Sequence, residues 1–138
     1  MLRDSFFWIL FFALIGVAAI HIFGSMYFLY WRFLWLDIVA HVGGGFWVGG
    51  SAVWVYTRLF SEKTGILASF PLLVLSILSA FAVGMRWEIF EFFIWPAMLV
   101  TGNHFTDTVI DLSADVIGAL FAALYFLRLR RTSGINQT

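Results

Sequence analysis

Cysteine is absent from the 138 residues, and proline occurs only twice, as Pro71 and Pro96. Without thiols the chain has neither a disulfide framework nor thiolate metal ligands. Charge is scarce as well. Asp, Glu, Lys and Arg make up 12% of the chain, about half the share of a soluble domain, and eight acids balance eight bases. A net charge of zero leaves no basic surface for nucleic acid, and each remaining charge becomes informative by its position. Hydrophobic residues fill the space, at 62%. A water-soluble fold of this size cannot hide so much apolar surface, so lipid must be the solvent for its outer faces. Seventeen Phe, seven Trp and four Tyr exceed what a core needs and suit the boundary between hydrocarbon and headgroups.

A helix crosses the hydrocarbon with roughly 20 apolar residues. Four stretches qualify, at about 6–23, 36–58, 65–95 and 107–128. The expected fold is an all-α, polytopic transmembrane four-helix bundle, with residues 1–138 as a single domain. The first run follows Arg3 in the manner of a signal peptide, but it lacks a small-residue cleavage pattern and is read as a retained span. Between the first two spans, Met26 to Trp35 is rich in rings and carries Arg32, as an interfacial segment would. Pro71 falls in the first turns of the third helix, where proline is tolerated, and Pro96 marks its end. Gly102 and Asn103 read as loop, and Thr106 as the N-cap of the fourth helix. Basic residues accumulate on the cytoplasmic side of membranes. An N-in/C-in topology places Arg3, Arg58, Lys63, Arg128, Arg130 and Arg131 there and leaves only Arg32 and Arg86 elsewhere.

On that topology six acids share the outer half. Asp37 opens the second helix, Glu88 and Glu91 close the third, and Asp107, Asp111 and Asp115 open the fourth. Asp115 lies about 12 Å deeper than Asp107, where an ionised carboxylate needs a partner or water. Asp37 and His41 are spaced i,i+4, Glu88 and Glu91 i,i+3, and the three aspartates form one stripe at i, i+4, i+8, so each helix can aim its polar side inward. Arg86 is the one internal Lys or Arg opposing them. The remaining negative charge calls either for protonated carboxyls or for a bound cation shared by several helices. Oxygen donors with one or two imidazoles and no sulfur suit Mg, Mn, Fe or Zn.

Plainer roles exist for each residue taken singly. Asp37 and His41 can be a helix-start carboxylate beside a hydrogen-bonded histidine, and Asp107 an acid favoured by the helix dipole. Arg86 either snorkels to the interface or pairs with Glu91 or Asp111. His21 and His104 read as interfacial, and His21 is left outside the site. Gly45 and Gly49, within the run Gly43 to Gly50, form a side-chain-free stripe suited to close helix approach. This run lies in an apolar span, not in the strand-to-helix turn of a phosphate loop.

Asp37-x-x-x-His41 followed by glycine, Trp87-Glu88-x-x-Glu91, and Asp107-x-x-x-Asp111-x-x-x-Asp115-x-x-Gly118 together resemble the VanZ-like and YjdF-like families of small bacterial membrane proteins. The resemblance covers the second to fourth helices. It implies a bacterial cytoplasmic membrane and a link to the cell envelope, and it implies no reaction. Asp115 departs from the Asn found at that position in many relatives.

Three classes of function fit these residues. In the first, a divalent cation held by His41, Glu88, Asp111 and Asp115 supports hydrolysis or transfer on an envelope lipid or lipid-linked substrate. Asp37 would then orient His41, and Glu91 would serve as general base. In the second, there is no chemistry: the acidic cavity recognises a cationic or polyhydroxylated headgroup of a membrane lipid, or the protein serves as a subunit of a complex, with the polar cluster as a structural network. In the third, coupled carboxyls move protons or cations, although the inner half offers no acids to complete a path.

Overall fold

The protein is described by a computed structural model that covers residues 2–60, 69–94 and 103–134. Among these residues every element is helical: α1 (Leu2–Met26), α2 (Leu29–Arg32), α3 (Trp35–Leu59), α4 (Ser69–Ile94) and α5 (His104–Gly134). The four long helices are each long and apolar enough to cross a membrane, so the chain is a multi-pass membrane protein. Residues 65–68 and 95 of the expected third span, together with Pro96 and Gly102, lie outside the described residues. Pro71 sits in the first turn of α4, where its missing N–H leaves no helical bond unmade.

Helix α5 begins earlier than the sequence suggests. Thr106 lies inside it, and Asn103 caps it instead, its Oδ1 accepting from the Phe105 N–H at 3.1 Å. Asn is at least as strong a cap as Thr, and three residues of helix are gained by using it. At the other terminus α5 runs past the apolar stretch through Arg128, Arg130 and Arg131, residues that favour helix without needing lipid.

Helices α3 and α5 run parallel, with α1 and α4 antiparallel to them. Small residues set the spacing of the parallel pair. Gly45 meets the backbone of Asp115, and Gly118 meets the Val42 carbonyl and the Phe46 N–H, so a Cβ at either glycine would overlap main chain. Gly49 lies against Ala119 and Ser76. The Ser76 hydroxyl in turn donates to the Ala119 carbonyl at 2.9 Å, joining α4 to α5 through a buried bond. Such a bond satisfies a hydroxyl that lipid could not.

Large side chains gather at the end of the bundle away from the acids. Phe6, Leu10, Val53, Leu72, Phe126 and Leu127 form a buried cluster there, with the Phe6 and Phe126 rings 5.2 Å apart. Helix α1 lies along α3 and barely meets α4. Its other faces carry exposed Phe7, Trp8, Phe11 and Phe12, rings suited to lipid.

The aromatic segment between α1 and α3 contains the short helix α2, preceded by Phe28 in the left-handed region at φ 55°. That conformation costs a non-glycine residue about 1–2 kcal/mol, and here it turns the chain back so that Tyr30 alone of α2 is buried. Gly24 supplies the room. A Cβ there would stand 2.7 Å from the Tyr30 ring.

Candidate functional site

His41 is the hub of the acidic end. Its position one turn after Asp37 on α3, and the parallel run of α5, place three carboxylates around one imidazole. Nε2 lies 4.0 Å from Asp37 Oδ1 and 4.0 Å from Asp111 Oδ2, whereas Nδ1 lies 3.4 Å from Asp115 Oδ1. His41, Asp111 and Asp115 are all buried. Ligand atoms of Asp37, His41 and Asp111 fall within 4.8 Å of one another. That spacing is too wide for hydrogen bonds, and it approaches the separation of donors on opposite sides of a cation with bonds of about 2.0–2.2 Å.

Several oxygens here have no hydrogen-bond partner among the described residues. Asp111 Oδ2, Asp115 Oδ2 and Glu88 Oε1 are buried without a hydrogen bond. Leaving one such group unsatisfied costs about 1–3 kcal/mol, and more when it is charged. The cluster therefore requires protons, water or a cation to complete it. Gly84 creates the space that one of these oxygens faces, since a Cβ there would collide with Asp115 Oδ2.

The other expected residues distribute around this hub. Glu88 is buried on α4, and its Oε2 accepts from the Thr108 hydroxyl at 2.7 Å, which ties α4 to α5 beside the aspartates. It falls outside the group of ligand atoms that share one position. Asp107 is buried in the first turn of α5, with its backbone N–H bonded to the Asn103 carbonyl. Glu91 is half-buried on the wall of a neighbouring cavity, whereas Arg86 is exposed. Gly45 and Gly49 lie in the α3 contact with α5, so they set the distance across which His41 meets Asp111 and Asp115.

The cavity has a volume of about 320 Å³, at the lower end of the range for small-molecule sites. Its upper end is bordered by His21, Tyr30, Asp37, His41, Glu91 and Asp115, and its lower walls are apolar, including Leu14, Val17, Trp47 and Ala80. His21 thus corrects an expectation: it belongs to the cavity, its ring 5.3 Å from Trp87 in an edge-on contact. His21 is half-buried while Ile22 and Phe23 beside it are exposed, a difference that its position near a helix end does not reveal.

A family model described as "Predicted membrane protein (DUF2238)" matches residues 3–132. The chain belongs to that family. No curated protein and no solved structure matches it. The DUF2238 match agrees with the sequence resemblance at the level of a membrane protein family, without extending to the VanZ-like or YjdF-like groups. In this DUF2238 chain the features beyond the expected set are Tyr30, His21, Thr108 and Gly84. Tyr30 is the most informative of them. Burial, followed by the nearby charges of Asp37 and Glu91, pushes its phenol up to about 12, so it stands over the acidic end as a neutral group.

Proposed function

We propose that the acidic end holds one divalent cation and uses it on an envelope lipid or lipid-linked substrate, by hydrolysis or transfer. The observation that carries this reading is the meeting of Asp37, His41 and Asp111, from two helices, within ligand distance of a common point. Asp115 has a distinct part in it. A histidine that ligates through one ring nitrogen usually donates from the other to a carboxylate, and the Nδ1 contact with Asp115 at 3.4 Å fits that arrangement. The geometry thereby favours Asp37 as a ligand and Asp115 as the group that orients His41, the reverse of the allocation suggested by sequence. Glu88 stands behind this set, positioned by Thr108.

A bound Mg, Mn, Fe or Zn ion would lower the pKa of a coordinated water and polarise the oxygen of an ester. Glu91, on the cavity wall, would serve as the general base that takes the proton from the attacking water. It would return that proton to the alcohol oxygen as the ester bond breaks. The reading places the protein in a bacterial cytoplasmic membrane with both termini inside, so that this end faces the envelope side.

A second reading has its own support. The Thr108 to Glu88 bond and the His41 to Asp115 contact also suit a metal-free network of protonated, hydrogen-bonded carboxyls in a protein that binds lipid without chemistry. Elemental analysis of the purified full-length protein separates the two. One equivalent of a divalent metal, lost on chelation and lost in Asp111→Asn and His41→Ala, is the expected result. A correctly folded parent with no stoichiometric metal, and no change in melting temperature with chelator, would reject the cation in favour of the network.

A further inference from the structure

Because α1 lies along α3 and barely meets α4, the cavity forms an indentation in the side of the bundle between α1 and α4. Val83 and Trp87 on its α4 wall are 47% and 36% exposed, which leaves the cavity accessible from the lipid side. Along α1 its wall runs from Leu14 to His21, about 10 Å of helix. The lower part is apolar. At the upper part the carboxylates of Asp37, Glu91 and Asp115 meet the rings of Tyr30 and Trp87.

Two features of this upper end define the chemistry of an occupant. Among the described residues no Lys or Arg borders the cavity. Even one divalent cation, held by a neutral His41, would supply two positive charges at an end that carries the six carboxyl groups of Asp37, Glu88, Glu91, Asp107, Asp111 and Asp115. An anionic headgroup meets net repulsion at such an end, whereas a cation meets acids and electron-rich rings together. Asp115 adds an independent pointer. It is 5% exposed, borders the cavity and keeps Oδ2 without a partner. The apolar walls and the opening toward the bilayer then select a lipid over a soluble amine, because a small amine would leave the lower part unfilled.

We propose that the groove between α1 and α4 takes a membrane lipid bearing an ammonium headgroup, its chain along the apolar wall and its ammonium beside Asp37, Glu91, Tyr30 and Trp87. The inference rests on the lipid-directed reading of the site given above, and it is independent of the cation in that reading. It names the substrate or ligand class of the site as an aminolipid.

The test uses the full-length chain in phosphatidylglycerol vesicles, doped with phosphatidylethanolamine or with phosphatidylglycerol that carries a photoreactive diazirine in one acyl chain. The expected result is labelling of the α1 and α4 walls by the ethanolamine lipid roughly 3–10-fold above the glycerol lipid, the range expected for a half-exposed ammonium among rings and acids. Glu91→Gln and Asp37→Asn should remove that preference. Val83→Trp, at a lipid-accessible position, should reduce labelling by both lipids, and Ala18→Leu provides a second way to narrow the groove if the larger ring disturbs folding. Equal labelling by the two lipids, labelling spread evenly over lipid-facing helices, or displacement of the probe by free ethanolamine would overturn the proposal. Metal content measured on the same samples keeps the two ideas apart. Selective labelling of metal-free protein supports the groove and removes the cation, whereas bound metal without selectivity does the reverse.

Discussion

The two ends of the bundle are built from the same helices by opposite means. At one end α1, α3, α4 and α5 contribute Phe6, Val53, Leu72 and Phe126, and the helices are held by filled volume. At the other end α3, α4 and α5 contribute His41, Glu88, Asp107, Asp111 and Asp115, all buried, and volume is deliberately withheld by Gly45, Gly84 and Gly118. In lipid the apolar end has no hydrophobic drive between its helices, only contact, so its stability depends on how well the rings fit. The acidic end depends on what neutralises it. Close approach of α3 and α5 would bring carboxylates together to mutual disadvantage unless a proton or a cation lies among them.

The largest expected contrast comes from changing one residue at each end. Phe126→Ala should lower stability by about 3–5 kcal/mol through the cavity it leaves, and it should leave metal content unchanged. Asp115→Asn keeps size and hydrogen bonding. If His41 ligates a metal, this change should weaken binding by about 10–100-fold and abolish the effect of chelator on melting. If the acids are a metal-free network of protonated carboxyls, the same change supplies a neutral group of like size that needs no proton to be buried, and the melting temperature should hold or rise. The two readings thus predict opposite signs in one thermal scan.

A smaller effect tests how the ends are spaced. Gly45→Ala drives a Cβ into the Asp115 backbone and should destabilise by about 1–3 kcal/mol, with loss of whatever the His41 cluster binds. Gly16 is the matched control, with nothing within 4 Å of its would-be Cβ. Gly16→Ala should instead stabilise by up to about 1 kcal/mol, as expected for alanine over glycine in a helix. Equal responses at the two glycines would show that α3 and α5 do not depend on close contact.

The smallest effect concerns Tyr30. Its phenol ionises near 12 when folded and near 10 when free, so the folded state holds the proton more tightly. The resulting stability is present below about pH 10 and lost as pH rises through 12. Tyr30→Phe should therefore flatten the decline in melting temperature over that window, and spectrophotometric titration should show loss of a tyrosine that ionises near pH 12. An unchanged alkaline decline would place Tyr30 away from Asp37 and Glu91.

The long helices were readable because uncharged runs of span length have few other uses, and the inward face of α5 because Asp107, Asp111 and Asp115 repeat at helical spacing. That acids gather near His41 follows from charges that avoid lipid, but which of them share one ligand position depends on helix rotation: Asp37 joins Asp111 there, whereas Glu88 and Asp115 do not. Other contacts depend on how elements rotate against each other. Nothing in the run from Met26 to Trp35 distinguishes Tyr30 from its neighbours, and only Gly24, small among large residues, marks where a ring must fit. Thr108 follows Asp107 directly, but its bond crosses to another helix, and no spacing within α5 foretells it. Asn103, beside Gly102, reads as loop, and that hides its role as the cap of α5.

Helix α1 is fastened unevenly, with Phe6 and Leu10 set into the apolar cluster while the stretch from Leu14 to His21 borders open volume. Val17 packs against Gly43 of α3, so the free margin of α1 is the one that faces α4. His21 lies about 22 Å along the axis from Phe6, so a tilt of about 5° would carry it roughly 2 Å sideways. A displacement of that size would change the width of the groove mouth while leaving the glycine-mediated contact of α3 with α5 untouched. The width of the groove mouth and the spacing of the carboxylates are thus set by different helix contacts.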